Sequence, residues 1–361
     1  SLLEGKDGWH GKTLKKGAEA DQALAELQAQ LVTDDGPPLT PRAPERRQRE
    51  AARPSAVAAP QYAVGEAIAT REAFGKAIAR LGAADERIAA LDADVKNSTF
   101  SERFQQQHPE RFYQCFIAEQ VMIGASMGLA ARGAIPFPST FAAFLSRAYD
   151  FIRMAAITGS NVKLAGSHAG VSIGGDGPSQ MALEDLAMMR AQPNMTVLYP
   201  CEAVSTERLL EAAARHRGPV YMRTSRPKTP VLYGPGETFE IGGLKILRQG
   251  DRDVATVIGA GITVFEALKA YDTLQKRDVA IRVIDLYSLQ PIDADTLVRC
   301  ARETGGRLIT VEDHYEGGGV GDAVAAAVAA HGFTVHRLAV RQIPPSGTPE
   351  ELVDHYGISA P

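Results

Sequence analysis

The stretch FYQCFIAEQVMIGASMGLAARG, residues 112–133, joins a strand-like apolar run directly to an apolar helix. We predict that the helix ends at Gly133, because glycine readily adopts the left-handed conformation that follows many helices. Upstream, RIAALDAD (87–94) is typical of a buried strand, and ATREAFGKAIARLG (69–82) predicts a helix. This stretch therefore belongs to a chain that alternates strands and helices.

The same alternation continues to the end of the chain. Further strands are predicted at IPFPS (135–139), NVKLAGS (161–167), TVLYP (196–200), PVYMRTS (219–225), VATVIGA (254–260), IRVIDL (281–286), RLITVED (307–313) and TVHRLAV (334–340). Further helices are predicted at AEADQALAELQAQL (18–31), FAAFLSRAYDFIRMAAI (141–157), EAVSTERLLEAAARH (202–216), VFEALKAYDTLQK (264–276), DADTLVRCARETG (293–305) and GDAVAAAVAAHG (321–332). Such alternation with short connections requires parallel sheets covered on both faces. We predict an α/β fold with two parallel-sheet, three-layer domains.

Two changes in composition set the predicted domain bounds. Residues 33–60 are rich in Pro, Arg and Ala with few large apolar side chains, which predicts an extended linker. Residues 227–244 form a second, Pro- and Gly-rich connector. The two predicted domains are therefore 61–226 and 245–361.

The composition excludes several classes of protein. A net charge of −4 over 361 residues offers no broad attraction for nucleic acid or for an anionic membrane. No apolar run approaches the roughly 20 residues of a membrane span. The three cysteines, Cys115, Cys201 and Cys300, lie too far apart for a zinc motif or a disulfide framework, which favours reduced thiols and a cytoplasmic location.

Glu119 follows a predicted strand and begins a predicted helix, which puts a carboxylate at the carboxyl edge of a parallel sheet. Ligands bind at that edge in open α/β sheets. Stabilisation of the helix N-terminus is an equally good reading. Phe141 and Phe144 are predicted in the first turn of the 141–157 helix, where core packing is the default and stacking on a flat heterocycle requires that Glu119 face the same cleft.

Four polar residues, Arg71, Ser98, His168 and Arg226, lie near strand or helix ends in separate strand–helix units. Singly, each is typical of a surface or capping residue. If they converge, they form a phosphate clamp, because guanidinium groups bind phosphate oxygens in pairs and His and Ser add donors.

Two glycine-rich stretches give weaker signals. GAGIT (259–263) lacks the third glycine of a dinucleotide-binding turn, so a tight strand-to-helix turn without a ligand is the preferred interpretation. GGDGPSQ (174–180) contains Gly-Asp-Gly, but no Asn-rich ligand pair follows it. We therefore predict no metal site in this chain.

The ordered motifs FIAEQ, STFAAF, GSHAGVSIGGDGPSQMALEDLAMMR and MRTSRP resemble those of the transketolase family, and specifically of its animal-like branch. VIGAGIT and VEDHYEGGGVGDAV continue the resemblance to the end of the chain. GWHGKTL, near the start, is similar to the last part of the family's diphosphate-binding domain, so residues 1–32 are interpreted as a remnant of that domain. The chain departs from the family at Gly175, where a glutamate is usual.

The resemblance implies a role for each matching residue. Glu119 would contact N1′ of the aminopyrimidine of thiamine diphosphate, and a catalytic role follows for it and for the substrate-channel residue His10. The remaining cofactor contacts would come from Phe141, Phe144, Arg147, Asp94 and Gln180. The sugar phosphate would be bound by Arg71, Ser98, His168, Asp176 and Arg226.

The implied activity is transfer of a two-carbon ketol unit from a ketose phosphate of the xylulose 5-phosphate type to an aldose phosphate of the ribose 5-phosphate type, as in the pentose phosphate pathway. The cofactor supplies the bond-breaking chemistry, and the protein orients substrates and supplies electrostatics. In the family, a divalent metal, Mg or Ca, is bound by the N-terminal diphosphate-binding domain. The resemblance implies that most of this domain is missing from the present chain.

Because the diphosphate-binding half of the site is missing, we expect this chain to be inactive alone. We expect it to act in a homodimer or in a complex with a diphosphate-binding chain. Either a separate polypeptide supplies the half, or these residues are a truncated, proteolysed or incomplete form of a longer protein. The remnant WHGKTL and the absence of an initial Met favour the second explanation, an incomplete form of a longer protein. Two alternatives remain: a beta-type subunit of a thiamine-dependent 2-oxoacid dehydrogenase, and a non-catalytic paralogue.

Overall fold

The computed structural model describes residues 13–31 and 55–360. The chain divides into two units, Ser1–Glu50 and Ala51–Pro361. In the first, the predicted helix is confirmed as α1 (Ala18–Gln30), and none of its residues is buried. Of the predicted linker, residues 55–60 contain no helix or strand, and residues 33–54 lie outside the described part.

The second unit contains every strand of the described residues. The strands are β1 (Ala67–Ala69), β2 (Ile88–Asp92), β3 (Phe112–Gln114), β4 (Ile135–Phe141), β5 (Lys163–Ser167), β6 (Thr196–Leu198), β7 (Val220–Arg223), β8 (Lys228–Pro230), β9 (Lys245–Arg248), β10 (Thr256–Gly259), β11 (Arg282–Asp285), β12 (Ser288–Gln290), β13 (Arg307–Tyr315) and β14 (Thr334–Val340). The helices are α2 (Thr70–Ala84), α3 (Lys96–Thr99), α4 (Glu102–Gln107), α5 (Glu119–Ala131), α6 (Tyr149–Ile157), α7 (Asp185–Arg190), α8 (Ala203–Arg215), α9 (Thr263–Gln275), α10 (Ala294–Glu303), α11 (Val320–Val328) and α12 (Pro349–His355).

Seven strands form the first large sheet, in the order β12-β6-β7-β5-β4-β2-β3. All neighbours are parallel except the edge strand β12. Every residue of β2 and β4 is buried, as expected for strands with both faces covered. On α2, Phe74, Ile78 and Leu81 are buried together, which confirms the predicted helix face.

The second large sheet has the order β14-β13-β10-β11-β9, and only β9 is antiparallel. The predicted α/β class is therefore confirmed, with mostly parallel sheets. The second half of the chain also contributes an edge strand to the first sheet, because β12 pairs with β6. The predicted bounds 61–226 and 245–361 remain a prediction.

The predicted long helix at 141–157 is wrong. Phe141 ends β4, residues Ala142–Ala148 form a 3-10 helix, and only α6 is α-helical. Burial of all seven β4 residues between neighbouring strands outweighs the local helical pattern.

The predicted strand FYQCFI ends early, at Gln114. The Gln114 side chain accepts hydrogen bonds from the backbone N–H groups of Asp94 (3.1 Å) and Phe116 (3.0 Å). Phe116 has a left-handed φ of 53°. The chain therefore turns irregularly before α5 begins at Glu119.

Candidate active site

The candidate residues of the first domain gather at one edge of the seven-stranded sheet. In the order β7-β5-β4-β2-β3, five neighbouring parallel strands run side by side. Their carboxyl ends lead to the following residues: Arg226, His168, Phe141, Asp94 with Ser98, and Glu119. The loops that follow parallel strands share one edge, so residues far apart in sequence meet there.

Glu119 is the first residue of α5, and only 2% of it is exposed. Its Oε2 lies 3.4 Å from Nε of Arg147, whose side chain is 53% exposed. Within the described residues this buried oxygen has no hydrogen-bond partner. A buried carboxyl oxygen whose described contact is an ion pair at 3.4 Å, with no hydrogen bond, can still accept a hydrogen bond from a ligand.

Phe141, Phe144 and His168 form a stack of three rings. The Phe141 ring lies 3.8 Å from the His168 ring, centroid to centroid, at an angle of 16°. Phe144 stacks on Phe141 at 5.1 Å and 10°. Arg147 belongs to the same 3-10 helix as Phe144, so the ring stack and Glu119 are connected through one short element.

His168 is buried and adopts a left-handed φ of 57°. Its Nε2 lies 3.5 Å from Nη1 of Arg71, and its Nδ1 lies 2.8 Å from the hydroxyl oxygen of Ser167. A guanidinium group can only donate, so Nε2 is the acceptor and Nδ1 carries the proton. Burial, with the charges of Arg71 and Arg226, lowers the pKa of His168 to about 3, so the ring is neutral near pH 7.

Arg71 and Arg226 bring two positive charges to this edge. Arg71 donates to the backbone carbonyl of Ser98 at 2.8 Å. Arg226 donates to the carbonyl of Ile173 at 2.9 Å and to Oδ1 of Asp176 at 3.1 Å. Burial and the nearby Arg226 lower the pKa of Arg71. Two guanidinium groups that repel each other beside a neutral histidine favour binding of an anion.

Several predicted residues make other contacts. Asp94 is exposed and its described hydrogen bond is the backbone one to Gln114. Gln180 accepts from the hydroxyl of Ser179 at 2.5 Å. Ser98 meets Arg71 through its backbone carbonyl rather than its hydroxyl. His10 lies outside the described residues.

Two glycines of GAGIT lie close to neighbouring parts of the chain, and the interpretations of the two glycine-rich stretches stay predictions. Gly261 has φ 58°, and a Cβ there would lie 2.0 Å from the ring of Tyr199. A Cβ at Gly259 would lie 2.8 Å from the backbone N of Val264 in α9. Within residues 13–31 and 55–360, no group of three or more His, Cys, Asp or Glu side chains could hold a metal ion.

The sequence analysis missed a buried network that supports this edge from the second sheet. Arg223 is fully buried and donates to Asp185 at 2.9 Å and to the backbone carbonyls of Ala182 and Asp313, both at 2.9 Å. The Asp313 carboxylate accepts from the N–H of Val171 at 2.7 Å. The one signal in the sequence is the pair of carboxylates in VED at the end of a strand, a position where buried polar groups need partners.

Comparisons with known proteins agree with this architecture. The family models "Transketolase, pyrimidine binding domain" and "Transketolase, C-terminal domain" match residues 66–231 and 242–361. The bovine protein "Transketolase-like protein 1" (Bos taurus) is 50% identical over 99% of this chain and 60% of its own length. The human protein "Transketolase" (Homo sapiens) is 48% identical over 99% of this chain and 57% of its own length.

A solved structure described as "Split gene transketolase, inactive beta4 tetramer" matches with a TM-score of 0.75 and 41% identity. The match covers 81% of this chain and 94% of that one. This chain thus spans between half and two thirds of the length of the curated relatives, and nearly all of the split-gene chain. No helix in the described part of the chain has the length and apolar character needed to cross a membrane.

Proposed function

Because this chain belongs to the transketolase family, which depends on thiamine diphosphate, we propose that it carries the pyrimidine half of a transketolase active site. The proposed reaction moves a two-carbon ketol unit from a ketose phosphate to an aldose phosphate. The observation that carries the proposal is the buried Glu119 carboxyl at the same sheet edge as His168 and the two arginines.

The residues at this edge fit the cofactor's aminopyrimidine. The buried Oε2 of Glu119 is paired with Arg147 but accepts no hydrogen bond from a described residue, and Phe141 and Phe144 supply flat apolar surface in the neighbouring element. Bound thiamine diphosphate supplies a carbon nucleophile that accepts and returns the two-carbon unit. In this proposal Glu119 holds a proton against the pyrimidine N1′, and Arg147 and the phenylalanines limit how the ring is oriented. The described residues offer no metal cluster, so the divalent ion and the diphosphate are assigned to the other half of the site.

The phosphate end of the sugar is assigned to the clamp formed by Arg71, His168 and Arg226. The neutral His168 accepts from Arg71 and so fixes the guanidinium without adding a charge of its own. Asp176 balances Arg226 and, as a carboxylate beside the clamp, is suited to accept a hydrogen bond from a sugar hydroxyl. Hydrogen bonds from two guanidinium groups to a phosphate are stronger than hydrogen bonds between neutral groups.

An apolar face beside Glu119 supports the need for a partner. This face is made of large apolar side chains that are 39–68% exposed: Tyr113, Phe116, Ile117, Val121, Phe151, Met154 and Ile157. They lie before α5, on α5 and on α6, and Phe151 packs over Gly124 between the two helices. Contiguous exposed apolar surface marks interaction sites in proteins. We assign it to the diphosphate-binding half of a partner chain in a homodimer or a split complex.

Reconstitution tests the proposal. The chain is mixed with the diphosphate-binding half of a related transketolase, and ketol transfer from xylulose 5-phosphate to ribose 5-phosphate is measured. Glu119→Ala is expected to abolish transfer while an exposed control, Arg252→Ala, leaves it unchanged. Transfer that survives Glu119→Ala would remove the catalytic assignment. No transfer by the unaltered complex would favour the non-catalytic paralogue, and binding of a lipoyl domain with turnover of a 2-oxoacid would favour the dehydrogenase subunit.

Location and pathway complete the proposal. All three cysteines are free, and Cys201 and Cys300 are buried, which supports a reducing compartment such as the cytoplasm. The proposed substrates are those of the pentose phosphate pathway. No broad basic surface is implied by a net charge of −4, so nucleic acid is not among the proposed partners.

A further inference from the structure

A second cleft is lined by residues of α2, and none of the clamp residues lines it. Its volume is about 710 Å³. Its charged lining residues are Lys76, Arg80, Arg103, Glu102 and Glu207. The remaining polar and aromatic lining comes from Gln61, Gln106, Gln107, Tyr62 and Phe100.

Two of the three cations in this cleft have no acidic partner. Arg80 forms an ion pair with Glu207, which also accepts the hydroxyl of Tyr62. Lys76 and Arg103 form no ion pair and no side-chain hydrogen bond with any described residue. Both side chains are half-buried, and their nitrogens remain in contact with solvent with no acceptor among the described residues, so their donors are free to bind an anion in the cleft.

Aromatic rings hold these two cations in place. The Lys76 ammonium lies 4.6 Å from the centroid of the Tyr62 ring. The Arg103 guanidinium lies 5.3 Å from the centroid of the Phe100 ring. Cation–π contacts orient a cation but leave its N–H groups free to donate. Burial, followed by the charge of Arg103, lowers the pKa of Lys76, which shows that the two cations repel each other.

The acidic residues do not neutralise the pair. Glu207 is committed to Arg80 and Tyr62, and Glu102 forms no ion pair with Lys76 or Arg103. The charges of Glu66 and Glu72 affect the pKa of Lys76 less than that of Arg103 does. The amides of Gln61, Gln106 and Gln107 add neutral donors around the same space. The cleft is thus polar, roomy and supplied with unused donors.

We propose that this cleft is a separate anion site in which Lys76 and Arg103 together bind a phosphate group, either free or at the end of a small phosphorylated metabolite. An anion between the two side chains removes their mutual repulsion and satisfies their free donors. Phe100 is shared with the clamp, because the Arg71 guanidinium also lies over its ring, at 5.2 Å. The proposal does not depend on ketol transfer, since it concerns residues outside the clamp.

The test measures phosphate binding to the full 361-residue chain by titration calorimetry at low ionic strength. The clamp is silenced by combining Arg71→Gln with Arg226→Gln, so that the remaining binding is measured. In that background, Lys76→Gln and Arg103→Gln are each expected to weaken binding at least tenfold, and the double variant to abolish it. Lys76→Arg keeps the charge and should retain binding, and the distant exposed variant Arg252→Gln should have no effect. Melting temperatures of all variants confirm that they are folded.

Two probes separate the possible sources of the phosphate. Inorganic phosphate and glycerol 3-phosphate that bind with similar affinity indicate that the phosphate group alone is recognised. Tighter binding of the ester indicates a phosphorylated metabolite. Absence of binding in the background that carries Arg71→Gln and Arg226→Gln would overturn the proposal. Binding in that background that survives Lys76→Gln combined with Arg103→Gln would also overturn it.

Discussion

The carboxylate of Asp313, on β13 of the second sheet, accepts a hydrogen bond of 2.7 Å from the backbone N–H of Val171, 142 residues earlier in the chain. It also accepts from the N–H of Ser172 at 3.3 Å. Gly170, with φ 87°, permits this approach, since a Cβ there would lie 2.0 Å from Asp313. The second sheet therefore holds the loop that carries His168 and Asp176.

Asp313→Ala is expected to lower the free energy of unfolding by about 1–3 kcal/mol, because it leaves buried N–H groups without an acceptor. Chemical denaturation measures the change. Glu316→Ala, which removes an exposed carboxylate paired with Arg341, is the control and should cost less than about 1 kcal/mol. In the reconstituted complex, Asp313→Ala should also raise KM for sugar phosphates. An unchanged KM would show that the loop keeps its position without Asp313.

His168 predicts a dependence of stability on pH. Its pKa is about 3 in the folded chain and about 6.5 in an unfolded one, so between these values only the unfolded chain binds the proton. The free energy of unfolding should therefore fall as the pH is lowered from about 6.5, by at most about 1.4 kcal/mol per pH unit from this residue, and the contribution is fully present above that range. His168→Gln should reduce this slope, measured as the difference between the two proteins. Equal slopes would contradict the assignment.

Arg226→Ala is expected to raise KM for phosphorylated sugars about 10- to 100-fold in the reconstituted enzyme, which is the effect of losing a charge-assisted hydrogen bond. Unphosphorylated analogues should be affected much less. Steady-state kinetics with matched sugars measures both. A similar rise in KM for the two kinds of substrate would remove Arg226 from the clamp.

Val121→Glu should weaken association with the diphosphate-binding half, because it puts a charge on the exposed apolar face. Val121 is 62% exposed, so stability of the isolated chain should change by no more than about 0.5 kcal/mol. Analytical ultracentrifugation of the mixture measures association. Val254→Glu, at a side chain that is 44% exposed and remote from this face in sequence, should associate normally. Normal association of Val121→Glu would place the interface elsewhere.

The isolated chain should bind thiamine diphosphate weakly and without turnover, because the proposed site at Glu119 would contact only the pyrimidine end and the described residues contain no metal cluster for the diphosphate. Calorimetry with and without Mg²⁺ measures this. Binding should tighten when the diphosphate-binding half is added. Tight, metal-dependent binding by the chain alone would contradict the proposed division of the cofactor site.

Local pattern was sufficient to predict most elements of the fold. Helix α5 ends shortly before Gly133, which has the expected positive φ of 91°. The alternation predicted a carboxyl edge for Glu119, but not whether Arg71, Ser98, His168 and Arg226 converge. The strand order brings Glu119 and His168 to one edge. The chemical roles of these residues came from resemblance to a family, because position at a sheet edge does not distinguish a helix-capping carboxylate from a ligand.

The sequence by itself determined the alternating strands and helices and the α/β class, because these follow from local periodicity and from the geometry of parallel sheets. Only the tertiary structure decided that Phe141 ends a strand and stacks on His168, and that Asp313 holds the loop at Val171. Those contacts join residues separated by 27 and by 142 positions, and nothing in the local chain specifies which distant group satisfies a buried N–H or covers a buried ring.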